Sequence, residues 1–303
     1  YGPVPSRRLG LSLGISPIPQ KTCNYSCIYC QLGRTSQMTN SRQLFFPTED
    51  ILAELDTLLE KDLTFDVVTI VGEGEPSLYL GLGDLILGIK ERVSVPVAVI
   101  TNGALLYDEK VRADMALADL VLPSLDAYDE ASFKEINRPH GALSFERVKE
   151  GLIAFSKSFS GQLWLEVMLM EGVNDDPASL AALKAILKDI NYDRLYLNTP
   201  VRPPAESYVR SLSHEAMQAA VDTLGGISID LLVSEGFHSD IQDDYEAVLS
   251  IIKRHPMHQY EIDSFLAARG NQRPVLLRDR LEKDPRVSVI DYRGYRTYRM
   301  RDH

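Results

Sequence analysis

Cysteine is nearly missing from this 303-residue chain: there are three, all between Cys23 and Cys30. So small and odd a number excludes a disulfide framework. Long apolar runs are missing too. Leu78–Ile89 is broken by Gly83 and Asp84, far short of the ~20 uninterrupted residues that span a bilayer. The opening YGPVPSRRLG has two arginines and no apolar run before Pro17. No signal peptide is read there, no membrane role follows, and a cytoplasmic setting is expected. Basic charge is in deficit, with 32 Lys and Arg against 43 Asp and Glu and a net charge of −11, which excludes indiscriminate polyanion binding over the whole surface. The deficit is uneven. Residues 1–244 hold 20 basic and 35 acidic side chains, residues 245–303 hold 12 and 8, so a local basic site near the C-terminus stays open. Hydrophobic residues make up 45%, enough for a sizeable core.

What is present is a regular alternation. Strand-like runs are read at Leu11–Ile15, Phe65–Val71, Val95–Ile100, Leu120–Pro123, Leu163–Met170, Arg194–Asn198 and Ile227–Val233. Helical patterns lie between them at Glu49–Glu60, Leu82–Arg92, Asp108–Ala116, Phe145–Ser158, Pro177–Asp189 and His214–Leu224. Thr48, Ser144 and Ser213 stand as N-cap signals. Strands alternating with helices mean βα units and a parallel sheet. From Asp243 the pattern changes to helices at Tyr245–Arg254, Tyr260–Ala268 and Pro274–Lys283. The runs Val287–Ile290 and Tyr295–Met300 follow, about a turn at Arg293–Gly294. Three helices followed by a hairpin is the order of a winged helix. The expected division is 1–240 and 241–303.

The cysteines read C-N-Y-S-C-I-Y-C, in a loop after the first strand. Loops at strand C-termini form the active face of a parallel α/β fold. Three thiolates suit a [4Fe–4S] cluster with one iron left open. Structural zinc is the alternative. It normally has four ligands, and the nearest downstream histidine, His140, matches no finger spacing.

This motif resembles the C-x₃-C-x-aromatic-C of the radical SAM superfamily. Cys23, Cys27 and Cys30 fall on its cluster ligands, and Tyr29 falls in the aromatic slot beside the adenine. Gly72-Glu73-Gly74-Glu75-Pro76 resembles the superfamily's G-G-E-P element at the methionine amine of S-adenosylmethionine, with Glu73 in place of the first Gly. The match therefore rests on Gly74, Glu75 and Pro76. Thr101-Asn102-Gly103 and Pro123-Ser124-Leu125-Asp126 end the next two strands, where the superfamily places ribose-binding groups. These elements, with GPVPSRRLGLSLGI, NRP and NTPVRPPAE, look like the wyosine-synthase-like iron–sulfur oxidoreductases. The resemblance implies a partial (βα)₆ barrel, an enzyme that cleaves S-adenosylmethionine to a 5′-deoxyadenosyl radical, and an external one-electron donor of flavodoxin or ferredoxin type. All three cysteines being used at one site, none is left for an auxiliary cluster, a carried methyl group or a thiol hydrogen donor. Wyosine synthesis itself is therefore not expected.

Some residues carry two readings. Ser124 and Asp126 also fit the capping of a turn. Glu166, in the apolar strand W-L-E-V-M-L-M, fits a cofactor contact, a paired core acid or a solvent-facing residue. Arg202, among prolines after the sixth strand, fits an anion contact or an ion pair. Arg7 and Arg8 fit a substrate contact or a solvated pair, and Asn174 fits turn chemistry. His140 and His238 have no partners in the pattern and are read as incidental. The C-terminal Y-R-G-Y-R-T-Y-R-M fits an RNA or peptide ligand, or a wing packed on its own helices. The competing function is a cluster- or metal-sensing winged-helix regulator that binds DNA. It would need no methionine-amine or ribose contacts.

Overall fold

The computed structural model describes residues 1–61, 63–229, 237, 239, 241–253, 255–271, 273–292 and 295–301. The alternation of β-rich and helical runs folds into one curled sheet. Strand β1 (Val4–Ser6) pairs antiparallel with β2 (Gly10–Ile15). The short parallel pair β3 (Thr22–Cys23) and β4 (Gln37–Met38) stands outside that sheet and frames the cysteine loop. Then follow α1 (Thr48–Leu59), β5 (Val67–Ile70), α2 (Leu82–Lys90), β6 (Val97–Thr101), α3 (Glu109–Met115), β7 (Leu120–Pro123), α4 (Glu130–Ile136) and α5 (Phe145–Ser158). The half-barrel ends with β8 (Gln162–Met168), α6 (Pro177–Leu187), β9 (Arg194–Asn198), α7 (His214–Leu224) and β10 (Ile227–Ser228). Strand order β1-β2-β5-β6-β7-β8-β9-β10, parallel from β2 onward, is that of a partial barrel. Beyond Ile229 the expected last strand lies outside the described residues.

The core explains the fold. The strands carry Val68, Ile70, Val99, Val121, Leu165 and Leu197, all fully buried against helix residues such as Leu85, Ile86 and Phe155. Near-continuous apolar strands covered by helices are what a parallel sheet requires. Helix starts were less regular than the sequence signals suggest. Ser213 caps α7 by accepting from Ala216 N at 3.1 Å. Thr48 lies inside α1, and its hydroxyl meets Tyr79 Oη at 2.8 Å instead. The Phe145 N–H goes to Glu130 Oε2 at 2.8 Å rather than to Ser144. Helix α4, which the pattern reading left out, is too short for periodicity and is set by the Asp129–Ser132 capping box.

The C-terminal segment adds α8 (Asp244–Ile252), β11 (Met257–His258), α9 (Gln259–Ala268), α10 (Pro274–Lys283), β12 (Val287–Tyr292) and β13 (Tyr295–Met300). Its three strands run β11-β13-β12. Tyr245, Val248, Ile252, Ile262, Leu266 and Tyr298 form a second core. Of the tyrosine–arginine interleave, Tyr298 is in this core and donates to Glu282 Oε1 at 3.0 Å, and Arg296 pairs with the same carboxylate at 2.8 Å. The turn residues Arg293 and Gly294, like His238, lie outside the described residues. Among the described residues no helix is long and apolar enough to cross a membrane.

Candidate active site

The cysteine loop leaves β3 at Cys23 and is fastened along its length by backbone hydrogen bonds. Cys30 N donates to Cys27 O at 3.1 Å, and Ser26 N and Ile28 N donate to Asn137 O and Ile136 O at 2.9 Å each. Ile28, fully buried with Ile136, Met170 and Val209, pins the loop's centre. Two amides reach the sulfurs: Asn102 Nδ2 lies 3.7 Å from Cys23 Sγ, and Asn137 Nδ2 lies 3.5 Å from Cys27 Sγ. Burial, then the nearby Glu75 carboxylate, pushes the Cys23 thiol well up; burial, then Asp126, does the same to Cys27. Thiols so placed ionise only beside a compensating cation. Three sulfurs with amide donors fit a thiolate-held iron–sulfur group in their chemistry. Among the described residues no three His, Cys, Asp or Glu converge as a single-ion site would require.

Two buried carboxylates organise the surroundings. Glu75 accepts from Ser77 N at 2.9 Å and Thr101 Oγ1 at 2.5 Å with Oε1, and from Asn102 N at 2.7 Å with Oε2. It joins the Gly74-Glu75-Pro76 turn to the end of β6. Asp126 accepts from Tyr29 Oη at 2.5 Å and Asn137 Nδ2 at 3.1 Å with Oδ2, and from Met168 N at 2.9 Å with Oδ1. It joins the cysteine loop to the ends of β7 and β8. Burial raises both acids above the ordinary carboxylate range, against the pull of these hydrogen bonds. Gly74 is demanded by the chain itself: a Cβ there would stand 1.8 Å from Thr22 O. The close approach required at this glycine is therefore to the strand bearing Cys23, where Glu75 N donates to Thr22 O at 3.0 Å. Pro76 begins a short 3₁₀ turn, Pro76–Leu78.

Ser124 makes an isolated parallel bridge with Glu166, between the ends of β7 and β8. Glu166 is paired with Arg8 and accepts from Asn198 Nδ2 at 3.2 Å. Burial lowers the Arg8 pKa to about 10. Glu166 is thus a paired acid, and the pair lines a cavity of about 400 Å³ that also touches Tyr29, Cys30, Arg7, Arg202 and His255. A second, much smaller space lies against Asn102, Gly103, Ser124, Asp126 and Asn137.

Sequence reasoning missed Asn24, Asn137, Glu206 and His255. Asn24 accepts the Asn102 amide at 2.7 Å. Glu206 receives Arg34 through two hydrogen bonds of 2.9 Å and Arg138 through one of 2.5 Å, so the residues after Cys30 and after Asn137 are clasped together. Arg138 holds a φ of 46° there, a costly conformation for a residue with a Cβ, which the clasp sustains. The segments NRP and NTPVRPPAE contain Asn137, Arg138 and Glu206, so the signal existed without an assigned role. Asn174 proved to be more than a turn residue: fully buried, it donates to Asp126 O and Met168 O at 2.9 Å each. His140 serves its own turn, accepting from Ala142 N at 3.2 Å.

Comparison with known proteins agrees with this geometry. The model of the family described as "Radical SAM superfamily" matches residues 18–183. A UPF0026 protein of Methanocaldococcus jannaschii is 37% identical over 277 residues, covering 88% of this chain and 85% of that protein. A Brachyspira hyodysenteriae protein named GTPase Obg is 42% identical over 220 residues, 73% of this chain; the match spans only 32% of that protein's length. Among solved structures, that of TYW1 with a lysine–pyruvate adduct bound superposes with a TM-score of 0.52 at 21% identity, covering 70% of this chain and 72% of that one. It shares the fold. A DNA-binding, metal-sensing regulator finds no support in these matches.

Proposed function

This chain belongs to the radical SAM superfamily and is an enzyme of that class, and we propose that it holds one [4Fe–4S] cluster on Cys23, Cys27 and Cys30 and cleaves S-adenosylmethionine reductively. Membership implies an iron–sulfur cluster, S-adenosylmethionine and an external electron donor; for the donor we keep a flavodoxin or ferredoxin type. Bound together, these groups supply a 5′-deoxyadenosyl radical that abstracts hydrogen from a substrate. The observation that carries the reading is that Tyr29 and Cys30, at the end of the cysteine loop, form part of the wall of the 400 Å³ cavity. The loop and the space for a substrate meet.

The chain's own residues then orient the parts. Asn102 and Asn137 donate to sulfur and stabilise thiolate, tuning the group it binds. Glu75, with Gly74 and Pro76, shapes the turn that receives the methionine amine, its negative charge opposite the ammonium. Thr101 and Asn102 hold that carboxylate in place. Ser124 and Asp126 stand toward the ribose, with Tyr29 braced by Asp126 beside the adenine. Glu166, charge-paired with Arg8, borders the cofactor and substrate space. The cluster would be held by the thiolates of Cys23, Cys27 and Cys30 and would supply the electron for reductive cleavage.

The substrate fits within a few hundred cubic ångströms or presents one residue or nucleotide to that space. We further propose the division at 240/241 and a winged-helix type for the second part, with RNA or peptide as its ligand class. The test is anaerobic reconstitution with iron and sulfide, then dithionite and S-adenosylmethionine. 5′-Deoxyadenosine is expected above the level given by protein without the cluster. Its absence sinks the enzyme reading.

A further inference from the structure

We propose that the C-terminal segment is part of the active site: through Arg202 it sets His255 into the wall of the barrel cavity, where the imidazole donates to an oxygen acceptor on the substrate. This deepens the functional reading above and rests on it.

Arg202 follows β9 in the run Thr199-Pro200-Val201-Arg202-Pro203-Pro204, where the prolines restrict the backbone. Its guanidinium crosses from the barrel to the C-terminal segment. Nη1 donates to Glu261 Oε2 at 3.3 Å, Nη2 to Glu261 Oε1 at 3.2 Å, and Nη2 also lies 2.5 Å from His255 Nε2. Glu261 is itself fixed as the capping partner of His258, accepting His258 N at 2.9 Å. The start of α9 is thereby wired to the end of a barrel strand.

The chemistry of the pair settles the state of the ring. Guanidinium nitrogens only donate, so His255 Nε2 must accept and carries no proton. The imidazole is neutral, with its N–H on Nδ1. Loss of solvent, then the charges of Arg202 and Arg7, hold its protonation well below the ordinary histidine range, in keeping with that geometry. Phe237, with its ring centroid 5.2 Å away, flanks the ring. Arg7, Arg202 and His255 all line the cavity that also meets Cys30. This end of the cavity is a wall of donors. A substrate that fills it turns carboxylate, phosphate or carbonyl oxygens toward the C-terminal segment, leaving its other end toward the cysteine loop.

Three measurements test this, two of them needing no cluster. In ¹⁵N-imidazole spectra, the signal lost in His255→Gln is expected in wild type as a neutral ring with bare Nε2, even in mildly acid buffer where an ordinary imidazole is protonated. A ring that titrates normally overturns the assignment. Inorganic phosphate and acetate, as oxyanion probes, should shift the Nδ1 signal in wild type and not in Arg202→Ala; no shift with either overturns the donor role of Nδ1. Finally, a bulky iron chelator should strip the reconstituted protein about tenfold faster in Arg202→Ala, because a charge-assisted contact closing the wall is gone. Arg278→Ala, which breaks an ion pair with Asp263 inside the C-terminal segment, should leave the rate unchanged. Equal rates in all three proteins would show that the segment closes nothing. A protein that takes up no cluster would refute the radical reading instead, and the two spectroscopic results would still decide this one.

Discussion

The surroundings of the cysteine loop and the junction with the C-terminal segment are built on different plans. At the cysteine end, Glu75 and Asp126 are buried acids, and each takes three hydrogen bonds from loops and strand ends that lie close by in the fold. At the junction with the C-terminal segment, Arg202 crosses from the barrel to Glu261 and His255. A satisfied network of buried polar groups fixes position tightly, since any slippage strands a carboxylate away from water. The Arg202 bridge is charge-assisted and ties one barrel strand end to the start of α9. Tight fixation by buried acids is concentrated where the thiols are.

The largest expected effect breaks the cysteine end outright. Replacing Cys23, Cys27 or Cys30 by Ala should remove iron and sulfide and abolish S-adenosylmethionine cleavage; a double variant that still carried four irons would refute the ligand assignment. Next comes Gly74→Ala. Its Cβ would meet Thr22 O at 1.8 Å, and backbone cannot yield as a side chain can, so a loss of about 3 kcal/mol or more is expected. The sharpening control sits in the other region. Gly270 has φ +78° and nothing within 4 Å of a built Cβ, so Gly270→Ala should cost only the left-handed penalty of about 1–2 kcal/mol. Denaturant midpoints compare the two directly, and equal losses would mean that crowding at Gly74 is relieved by a small loop shift.

The same contrast explains what could be read from the sequence. The β5, β6 and β7 strands were legible because each is a short apolar run that ends in a polar motif, GEGEP, TNG or SLD, and the cysteine spacing is local within eight residues. The cross-links were not legible. Asn137 reaches Cys27 across 110 positions, Glu206 reaches Arg34 across 172, and Arg202 reaches His255 across 53. Hydrophobic period says which face of an element is buried, and nothing about which distant polar group it meets. The tail was legible as helices and a hairpin, but β11 is a two-residue strand, and His255 just before it lies in a connector that no pattern marks. Its lone position in the sequence hid its neighbour in space.

A middle-sized effect probes the acid nearest the proposed cofactor. Glu75→Gln keeps the shape but offers an N–H to a site already ringed by donors, and it removes the charge opposite the ammonium. Cluster content should persist, while S-adenosylmethionine binding, measured anaerobically by calorimetry, should weaken about tenfold or more. Unchanged affinity would move the amine contact to other groups and leave Glu75 as a brace between the turn and β6.

The smallest effect tests whether tight fastening at the cysteine end reaches its surface. Glu206 holds Arg34 and Arg138, and the hydrogen bonds from Arg34 first, then those from Arg138, keep its carboxyl below the ordinary range. A folded pKa below the unfolded one means stability that is present above the unfolded value, about 4.3, and lost as pH falls through the folded value. Arg34 is 71% exposed, so solvent screens its share of the clasp and the effect is small. Glu206→Gln should therefore unfold at lower denaturant near neutral pH. Because Gln keeps the backbone bond from position 206 to Ile28 O, the gap from wild type should narrow between neutral pH and an acid buffer, as the pH falls through the lowered folded value and the wild-type carboxyl takes up its proton. A gap of the same size at both pH values would show that the residue acts through shape and packing, and that the charge between the two arginines contributes nothing to holding the loop.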